Sequence, residues 1–269
     1  MIQLPNMELP AAAAIQLAGY QATIDALPDY PARVVAAKTG FRARNVTANE
    51  TFRVVRRTLS QMCSGAQRCC YCEDSAADEI EHIKPKHLYP EASFSWENYL
   101  YACGPCNGPK NNRFAVFEPE QQCITEVVRG RNDPIVPPPP GEPVLIDPRR
   151  EDPLHFFELD LVDTFQFVPA AGLDPRERER ALYTRRILRL NQRDLLVQAR
   201  RTAYGSYVAR LKEYVADKAK GKNALVLERY VDALKLMDHP TVWKEIQRQQ
   251  GRIASLRTLF KAAPEALGW

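Results

Sequence analysis

Hydrophobic positions follow a helical period at both ends of the chain and a strand-like period only in short runs between them. Residues 9–37 form an alanine-rich helical pattern that two prolines interrupt near residue 30, which predicts two short helices. Thr47 and Glu50 have the spacing of a capping box, so we expect a third helix to begin there and to end near Gly65.

Helical patterns return from Pro175 to Trp269. Asp174 precedes this proline, an arrangement typical of a helix N-terminus in which the aspartate is the N-cap and the proline occupies the first helical position. Further helices are expected over residues 193–219, 224–237 and 240–261.

A proline-rich stretch divides the chain. Residues 132–143 contain six prolines, which predicts a polyproline-type connection rather than a helix or a central strand. Three short apolar runs follow, at residues 144–146, 155–161 and 165–168, and they predict short strands or a hairpin with Asp163 near its turn.

These elements predict a fold of the α+β class that is mainly helical. The expected divisions are an N-terminal helical segment at 1–66, a cysteine-rich module at 67–128, a proline-rich linker at 129–144, short strands or a hairpin at 145–171 and a basic helical region at 172–269.

The composition is that of a soluble globular protein. Hydrophobic residues make up 45% and charged residues 26% of the 269 positions, which excludes wholesale disorder. No uncharged stretch reaches the roughly 20 apolar residues of a membrane span, and no basic residue precedes the apolar N-terminal run as in a signal peptide. Seven cysteines, an odd number, argue against a secreted disulfide framework and favour a cytoplasmic location.

The net charge of +4 is unevenly distributed. Residues 172–269 carry 21 basic and 11 acidic side chains, so this region can attract a polyanion such as a nucleic acid. Solvated helix faces are the alternative explanation of the same charges.

Two cysteine pairs mark the module at 67–128. Cys69 with Cys72, and Cys103 with Cys106, each have the C-x-x-C spacing. Four thiolates complete a closed tetrahedral shell around Zn²⁺, so we expect a structural zinc site with a small element inserted between the two knuckles.

The remaining cysteines leave alternatives open. Cys70 is adjacent to the first pair and can replace one of its members as a zinc ligand. Cys63 and Cys123 are expected to be ordinary buried thiols. A redox role for a C-x-x-C pair is the alternative to zinc, although no βαβ pattern surrounds either pair.

An acid, a histidine and an amide lie near the cysteine pairs. Glu81 and His82 fall between the pairs, and Asn107 directly follows the second. Carboxylate and amide oxygens suit Mg²⁺ or Mn²⁺, and a neutral imidazole can remove a proton from water, which indicates metal-assisted phosphodiester hydrolysis. On a regular strand Glu81 and His82 point to opposite faces, so a bend near Pro85 is needed to bring them together.

The motifs at residues 68–114 resemble those of the zinc-bearing HNH (ββα-metal) endonucleases. They are Cys-x-x-Cys, Ile-Glu-His-Ile-x-Pro, Trp-x-Asn-Tyr-Leu and Cys-x-x-Cys-Asn-x-x-Lys. The resemblance implies a β-hairpin whose first strand carries the acid and the base, and a helix that completes the metal site. It also implies that Glu81 and Asn107 bind the catalytic metal ion. His82 is then the general base, and Asn98 braces the loop that carries it.

Two positions depart from the commonest pattern of that family. Glu81 stands where an aspartate often precedes the catalytic histidine, and Asn107 stands where a final histidine is usual. Both side chains still offer oxygen ligands. Lys84 and Lys110 are candidates for holding substrate phosphate, with simple solvation as the alternative.

A longer series of motifs resembles the HNH subunit of Septu-type antiphage systems, some of which are linked to retrons. It comprises Arg-Cys-x-Tyr-Cys-Glu at 68–73, Ile-Glu-His-Ile-Lys-Pro-Lys at 80–86, Cys-Asn-x-x-Lys at 106–110, Leu-Ile-Asp-Pro at 145–148 and Ile-Leu-Arg-Leu-Asn at 187–191. This resemblance implies an antiphage nuclease that acts beside an ATPase subunit, with the C-terminal helices as the place for partner docking or substrate grip.

The sequence leaves the substrate open, since DNA and tRNA share the phosphodiester that such a site attacks. A zinc module that binds nucleic acid or a protein partner without cutting is the alternative function. The position of Glu81 and His82 between the knuckles favours the nuclease, because a purely structural zinc finger needs no acid and base there. His87 is ambiguous, either a substrate contact or a cover for the hairpin.

Overall fold

Helices make up most of the structure, and small antiparallel sheets lie among them. The computed structural model describes residues 1–119 and 124–269. The helices are α1 (Ala11–Asp25), α2 (Tyr30–Arg44), α3 (Glu50–Met62), α4 (Gly104–Lys110), α5 (Pro153–Phe156), α6 (Pro175–Ile187), α7 (Asp194–Ala219), α8 (Ala224–Lys235), α9 (Pro240–Gln249) and α10 (Ala254–Ala262). The strands are β1 (Glu79–His82), β2 (Tyr99–Ala102), β3 (Phe114–Phe117), β4 (Ile124–Val127), β5 (Glu142–Pro143), β6 (Phe157–Leu159) and β7 (Phe167–Pro169). The class is therefore α+β and mainly helical, as the sequence predicts.

Helices α2 and α3 begin at side-chain caps. Asp29 accepts a hydrogen bond from the backbone N–H of Ala32 at 2.8 Å and so starts α2. The expected cap of α3 at Thr47 is wrong, because Asn49 takes this role and accepts the N–H of Phe52 at 3.1 Å.

The cysteine-rich module contains a β-hairpin followed by a helix. β1 pairs with β2 in an antiparallel register that sets Glu81 opposite Leu100 and His82 opposite Tyr99. α4 follows β2 directly, with Cys103 at its N-cap position. This ββα order is the one that the resemblance to the HNH enzymes implies.

The proline-rich linker at 129–144 is bonded at its start to the N-terminal half of the chain. The Arg129 guanidinium donates hydrogen bonds to the backbone carbonyl of His87 and to the Tyr30 hydroxyl. The prolines at 137–140 line a cavity together with Tyr30 and Tyr89.

This stretch ends in an edge strand, where a proline is tolerated. β5 pairs with β3, which pairs with β4 on its other side. Gly141 precedes β5 and passes so close to Phe117 that a Cβ atom would lie 2.3 Å from its carbonyl oxygen. Only glycine fits this approach.

The strand expected at residues 144–146 is wrong. This run is buried but outside any sheet. The N–H of Val144 bonds to the carbonyl of Ala115, and the N–H of Ile146 bonds to the Thr184 hydroxyl, so a helix side chain takes the place of a strand partner.

The hairpin expected around Asp163 is confirmed by the pairing of β6 with β7. Its connecting turn is organised by Asp160, whose carboxylate accepts the backbone N–H groups of Val162, Asp163 and Thr164. Burial raises the pKa of Asp160, but these hydrogen bonds and the one from the Thr164 hydroxyl together outweigh it and lower the pKa to about 2.

The C-terminal region matches the predicted helices with one exception. Asp174 forms the expected cap, in a capping box with Glu177. The helix predicted over 240–261 is wrong, because residues 250–253 divide it into α9 and α10. Gly251 lies in this break, where its backbone freedom disfavours a continuous helix.

Among the described residues, no helix is both long enough and apolar enough to cross a lipid bilayer.

Candidate metal and catalytic site

Four buried thiols meet at the base of the hairpin. Cys69 and Cys72 lie in the turn before β1, and Cys103 and Cys106 lie at the start of α4. Their sulfur atoms all fall within 4.8 Å of one another. A tetrahedral Zn²⁺ with Zn–S bonds of about 2.3 Å sets its sulfurs roughly 3.8 Å apart, and the Cys72 and Cys103 sulfurs are 3.7 Å apart. The cluster can therefore bind a zinc ion.

Cys70 is not a member of this cluster. Its sulfur points instead towards Cys63, at 3.9 Å between the two Sγ atoms. Cys63 is half-buried, and Cys123 lies outside the described residues.

Within residues 1–119 and 124–269, these four cysteines are the one group of three or more Cys, His, Asp or Glu side chains close enough to share an ion. A catalytic cation elsewhere in these residues would therefore need amide, carbonyl or water oxygens beside at most two Cys, His, Asp or Glu side chains.

A small cavity of about 100 Å³ lies beside the hairpin. Three residues selected from the sequence line it together, namely Glu81, His82 and Asn107. Its other lining residues are Ile80, Pro85, Lys86, His87, Asn111 and Asn112. The acid and the histidine thus reach one cavity although they are neighbours on β1.

The imidazole of His82 is held by a hydrogen bond and by the edge-on rings of Phe41 and Tyr99. Its Nε2 atom lies 3.0 Å from the backbone carbonyl oxygen of Ser93. Because a carbonyl can only accept, Nε2 carries the proton, and Nδ1 keeps the free lone pair. The ring also packs edge-on against Phe41, with ring centroids 4.4 Å apart. Burial lowers the pKa of His82 well below its ordinary value, so the ring is neutral.

The carboxylate of Glu81 is paired with a buried ammonium group. Lys110 on α4 is fully buried, forms an ion pair with Glu81 and donates a hydrogen bond to the backbone carbonyl of His82 at 2.7 Å. Burial raises the pKa of Glu81, and the charge of Lys110 opposes that effect. Lys110 thus ties α4 to both residues of the β1 pair.

The side chain of Asn107 is held by Glu79, the first residue of β1. Its amide nitrogen donates to the carboxylate of Glu79 at 2.7 Å. This contact leaves the amide oxygen available as a ligand for a hard cation. One carboxylate and one amide oxygen suit Mg²⁺, which keeps several of its waters when bound to protein.

Asn98 links the two sides of the loop that joins β1 to β2. Its amide oxygen accepts the N–H of Lys84 at 2.7 Å, and its amide nitrogen donates to the carbonyls of Lys84 and Ala92 at 3.0 and 2.9 Å. The side chain itself does not line the small cavity. Asn98 can therefore act by holding the loop.

The lysines near the hairpin lie in three different environments. Lys110 is buried in its ion pair with Glu81, so its ammonium group is not free to bind a substrate phosphate. Lys84 lines a different and larger cavity of about 740 Å³. Lys86 lines the small cavity, as does His87, whose pKa burial and nearby cations lower to about 4. Sequence reasoning did not name Lys86 as a site residue, although it stands in the same Lys-Pro-Lys motif as Lys84.

Comparison with known proteins gives a partial match. No model of a known protein family matches the chain. The chain is similar to the Septu protein PtuB of Bacillus thuringiensis, with 39% identity over 57 residues. That match covers 19% of this chain and 22% of PtuB, so the chain spans under a quarter of that relative.

Proposed function

We propose that the chain is a metal-dependent HNH-type endonuclease that hydrolyses phosphodiester bonds in nucleic acid, and that it serves an antiphage defence system. One observation carries the proposal: His82, Glu81 and Asn107 all line the same small cavity. The partial similarity to a Septu protein supports the defence role.

His82 is the general base. Its bond to the carbonyl of Ser93 fixes the tautomer in which Nδ1 can accept a proton from the attacking water. Because burial keeps the imidazole neutral, no charge has to be lost before it acts.

Glu81 and Asn107 would hold Mg²⁺ or Mn²⁺ through one carboxylate and one amide oxygen. When bound, the cation offsets the negative charge that develops on the phosphoryl oxygens and on the leaving oxygen. Lys110 holds Glu81 in place from the buried side. Asn98 keeps the loop after β1 closed, and zinc on the four cysteines clamps both ends of the hairpin.

An ATPase subunit of the same defence system is the proposed partner. The basis is the motif series shared with Septu-type nuclease subunits and the similarity to PtuB. Co-expression of the two chains and co-purification under native conditions tests this part separately from catalysis.

A zinc module that binds without cutting is the second candidate. The ion pair between Glu81 and Lys110 favours it, because this pair neutralises the carboxylate without any metal ion. Metal-dependent cleavage separates the two functions.

The decisive experiment measures cleavage of plasmid DNA and of tRNA in Mg²⁺ or Mn²⁺. The wild-type protein is compared with His82→Ala and with His155→Ala, a surface histidine bonded to Glu177. We expect His82→Ala to lose about 10²- to 10⁴-fold in rate, the usual contribution of a general base, and His155→Ala to lose nothing. Equal rates in all three proteins, or no cleavage by any of them, would refute the assignment.

A further inference from the structure

We propose that Lys86, Lys38 and Arg42 form a basic strip that holds the phosphate backbone of the substrate beside the Glu81–His82 cavity. The inference rests on the proposed nuclease function and deepens it, because it moves the grip on nucleic acid from the basic C-terminal region to the N-terminal helix α2.

Lys86 supplies the free positive charge of the cavity. Within the described residues its ammonium group has no hydrogen-bond or ion-pair partner, in contrast to the buried Lys110. Its Nζ atom lies 4.8 Å from the centroid of the Phe41 ring, a cation–π contact that holds the side chain in position. An anion entering the cavity therefore meets an ammonium group that is already ordered.

Helix α2 packs against two residues that line this cavity. Its buried Phe41 touches both the imidazole of His82 and the ammonium of Lys86. Lys38 is close enough that its charge contributes to the lowered pKa values of Lys86 and His87, with burial as the larger cause in both. Helix α2 thus places Lys38 near two residues of the cavity, Lys86 and His87.

The exposed face of α2 carries two further positive charges beyond Lys86. Lys38 and Arg42 are both exposed and stand four residues apart, so they lie on the same side of the helix. Neither forms an ion pair with any residue of 1–119 or 124–269. The Glu81 carboxylate offsets part of the charge of Lys86 at longer range. Three cations in series, none of them in an ion-pair contact within residues 1–119 and 124–269, match a chain of phosphates better than they match a single small anion.

The larger cavity of about 740 Å³ shows the opposite pattern. Its arginines are neutralised by acids of the same cavity, as in the pairs Arg176–Glu142, Arg180–Glu151 and Arg150–Asp147. A polyanion would therefore gain little electrostatic binding energy in the larger cavity. The free positive charge is at the small cavity and on α2.

Binding is tested in the His82→Ala background and without added Mg²⁺ or Mn²⁺, so that cleavage is negligible during the measurement. The probes are a short fluorescein-labelled DNA duplex and its single strand, followed by fluorescence anisotropy over a series of salt concentrations. Lys38→Glu/Arg42→Glu is compared with Arg210→Glu/Lys212→Glu, an exposed pair on α7 with the same change in charge.

We expect the strip variant to bind duplex about tenfold or more weakly, and its plot of log K against log salt to flatten by roughly 0.9 per lost phosphate contact. The α7 variant should keep the wild-type affinity and slope. Equal behaviour of the two variants, or a greater loss in the α7 variant, overturns the strip.

Lys86 is tested in the cleavage-competent protein. Lys86→Ala should lower kcat, whereas the double α2 variant should mainly raise KM, and Lys86→Arg should recover most of the activity because it keeps the charge. An unchanged kcat in Lys86→Ala removes this residue from the strip.

The outcomes for the strip and for catalysis are distinguishable. If the wild type cleaves and the α2 variant binds as tightly as the wild type, the nuclease function is supported and the strip is refuted. Binding that depends on the α2 charges, without cleavage by the wild type, supports the strip and refutes the nuclease.

Discussion

The guanidinium group of Arg193 donates a hydrogen bond to the Sγ atom of Cys106 at 3.2 Å. Arg193 is the N-cap residue of α7, whereas Cys106 lies on α4. The C-terminal helical region therefore touches the four-thiol cluster directly. A cation beside the thiolates offsets the excess negative charge of a zinc site with four cysteine ligands.

Replacing Arg193 should weaken zinc binding. We expect Arg193→Met to lower zinc affinity by about 10- to 100-fold, as is usual when a group hydrogen-bonded to a metal ligand is removed. Zinc transfer to a chromophoric chelator measures the effect. Arg178→Met, at an exposed position of α6, is the control. If both variants release zinc alike, the contact has no influence on the metal.

The cysteines divide into members and non-members of the cluster. Cys103→Ser should remove stoichiometric zinc and lower the thermal midpoint strongly, because the metal closes the hairpin against α4. Cys63→Ser should keep its zinc, since this thiol contacts only Cys70 among the cysteines described. Elemental analysis and thermal melts follow both variants. Full zinc occupancy in Cys103→Ser would contradict the assignment.

The buried pair of Lys110 and Glu81 should show strong coupling. Lys110→Met leaves the Glu81 carboxylate buried without its ammonium partner, and the expected cost is about 3–5 kcal/mol in the free energy of unfolding. The double variant Glu81→Gln/Lys110→Met should recover much of this loss. Urea denaturation of the two single variants and the double variant gives the coupling energy. Additive losses would show that the two side chains do not depend on each other.

The turn at Asp160 should make stability depend on pH. Its folded-state pKa of about 2 lies below the unfolded value, so the stabilisation is complete above about pH 4 and is lost as the pH falls through 2. Asp160→Asn should cost about 1 kcal/mol near neutral pH, an amount reduced because the group is partly exposed. Denaturation at several pH values should show the gap between variant and wild type closing below pH 4. A gap that stays constant would exclude the carboxylate charge as its cause.

Local spacing predicted much of the site. The two C-x-x-C pairs, the helix cap at Asp174 and the placement of Glu81 with His82 on one strand all depend on residues within a few positions of each other. Local spacing did not identify the N-cap of α3, because two residues able to cap a helix stand close together and Asn49, not Thr47, takes this role.

Long-range packing decided the rest. Three lysines stand near the hairpin, and nothing in their spacing indicates that Lys110 is buried against Glu81 while Lys86 stays free in the cavity. The contribution of α2 was equally hidden, because Phe41 reaches His82 only through the packing of the helix on the hairpin. The contact between Phe41 and His82 joins residues about forty positions apart. Local sequence patterns cannot predict contacts over such a separation.

The proline-rich stretch is fastened at both ends, at Tyr30 and His87 through Arg129 and at β3 through β5. It is therefore held against the rest of the molecule and does not act as a flexible linker between the two halves of the chain. A protease cut within residues 130–141 should leave two fragments that still travel together on a sizing column.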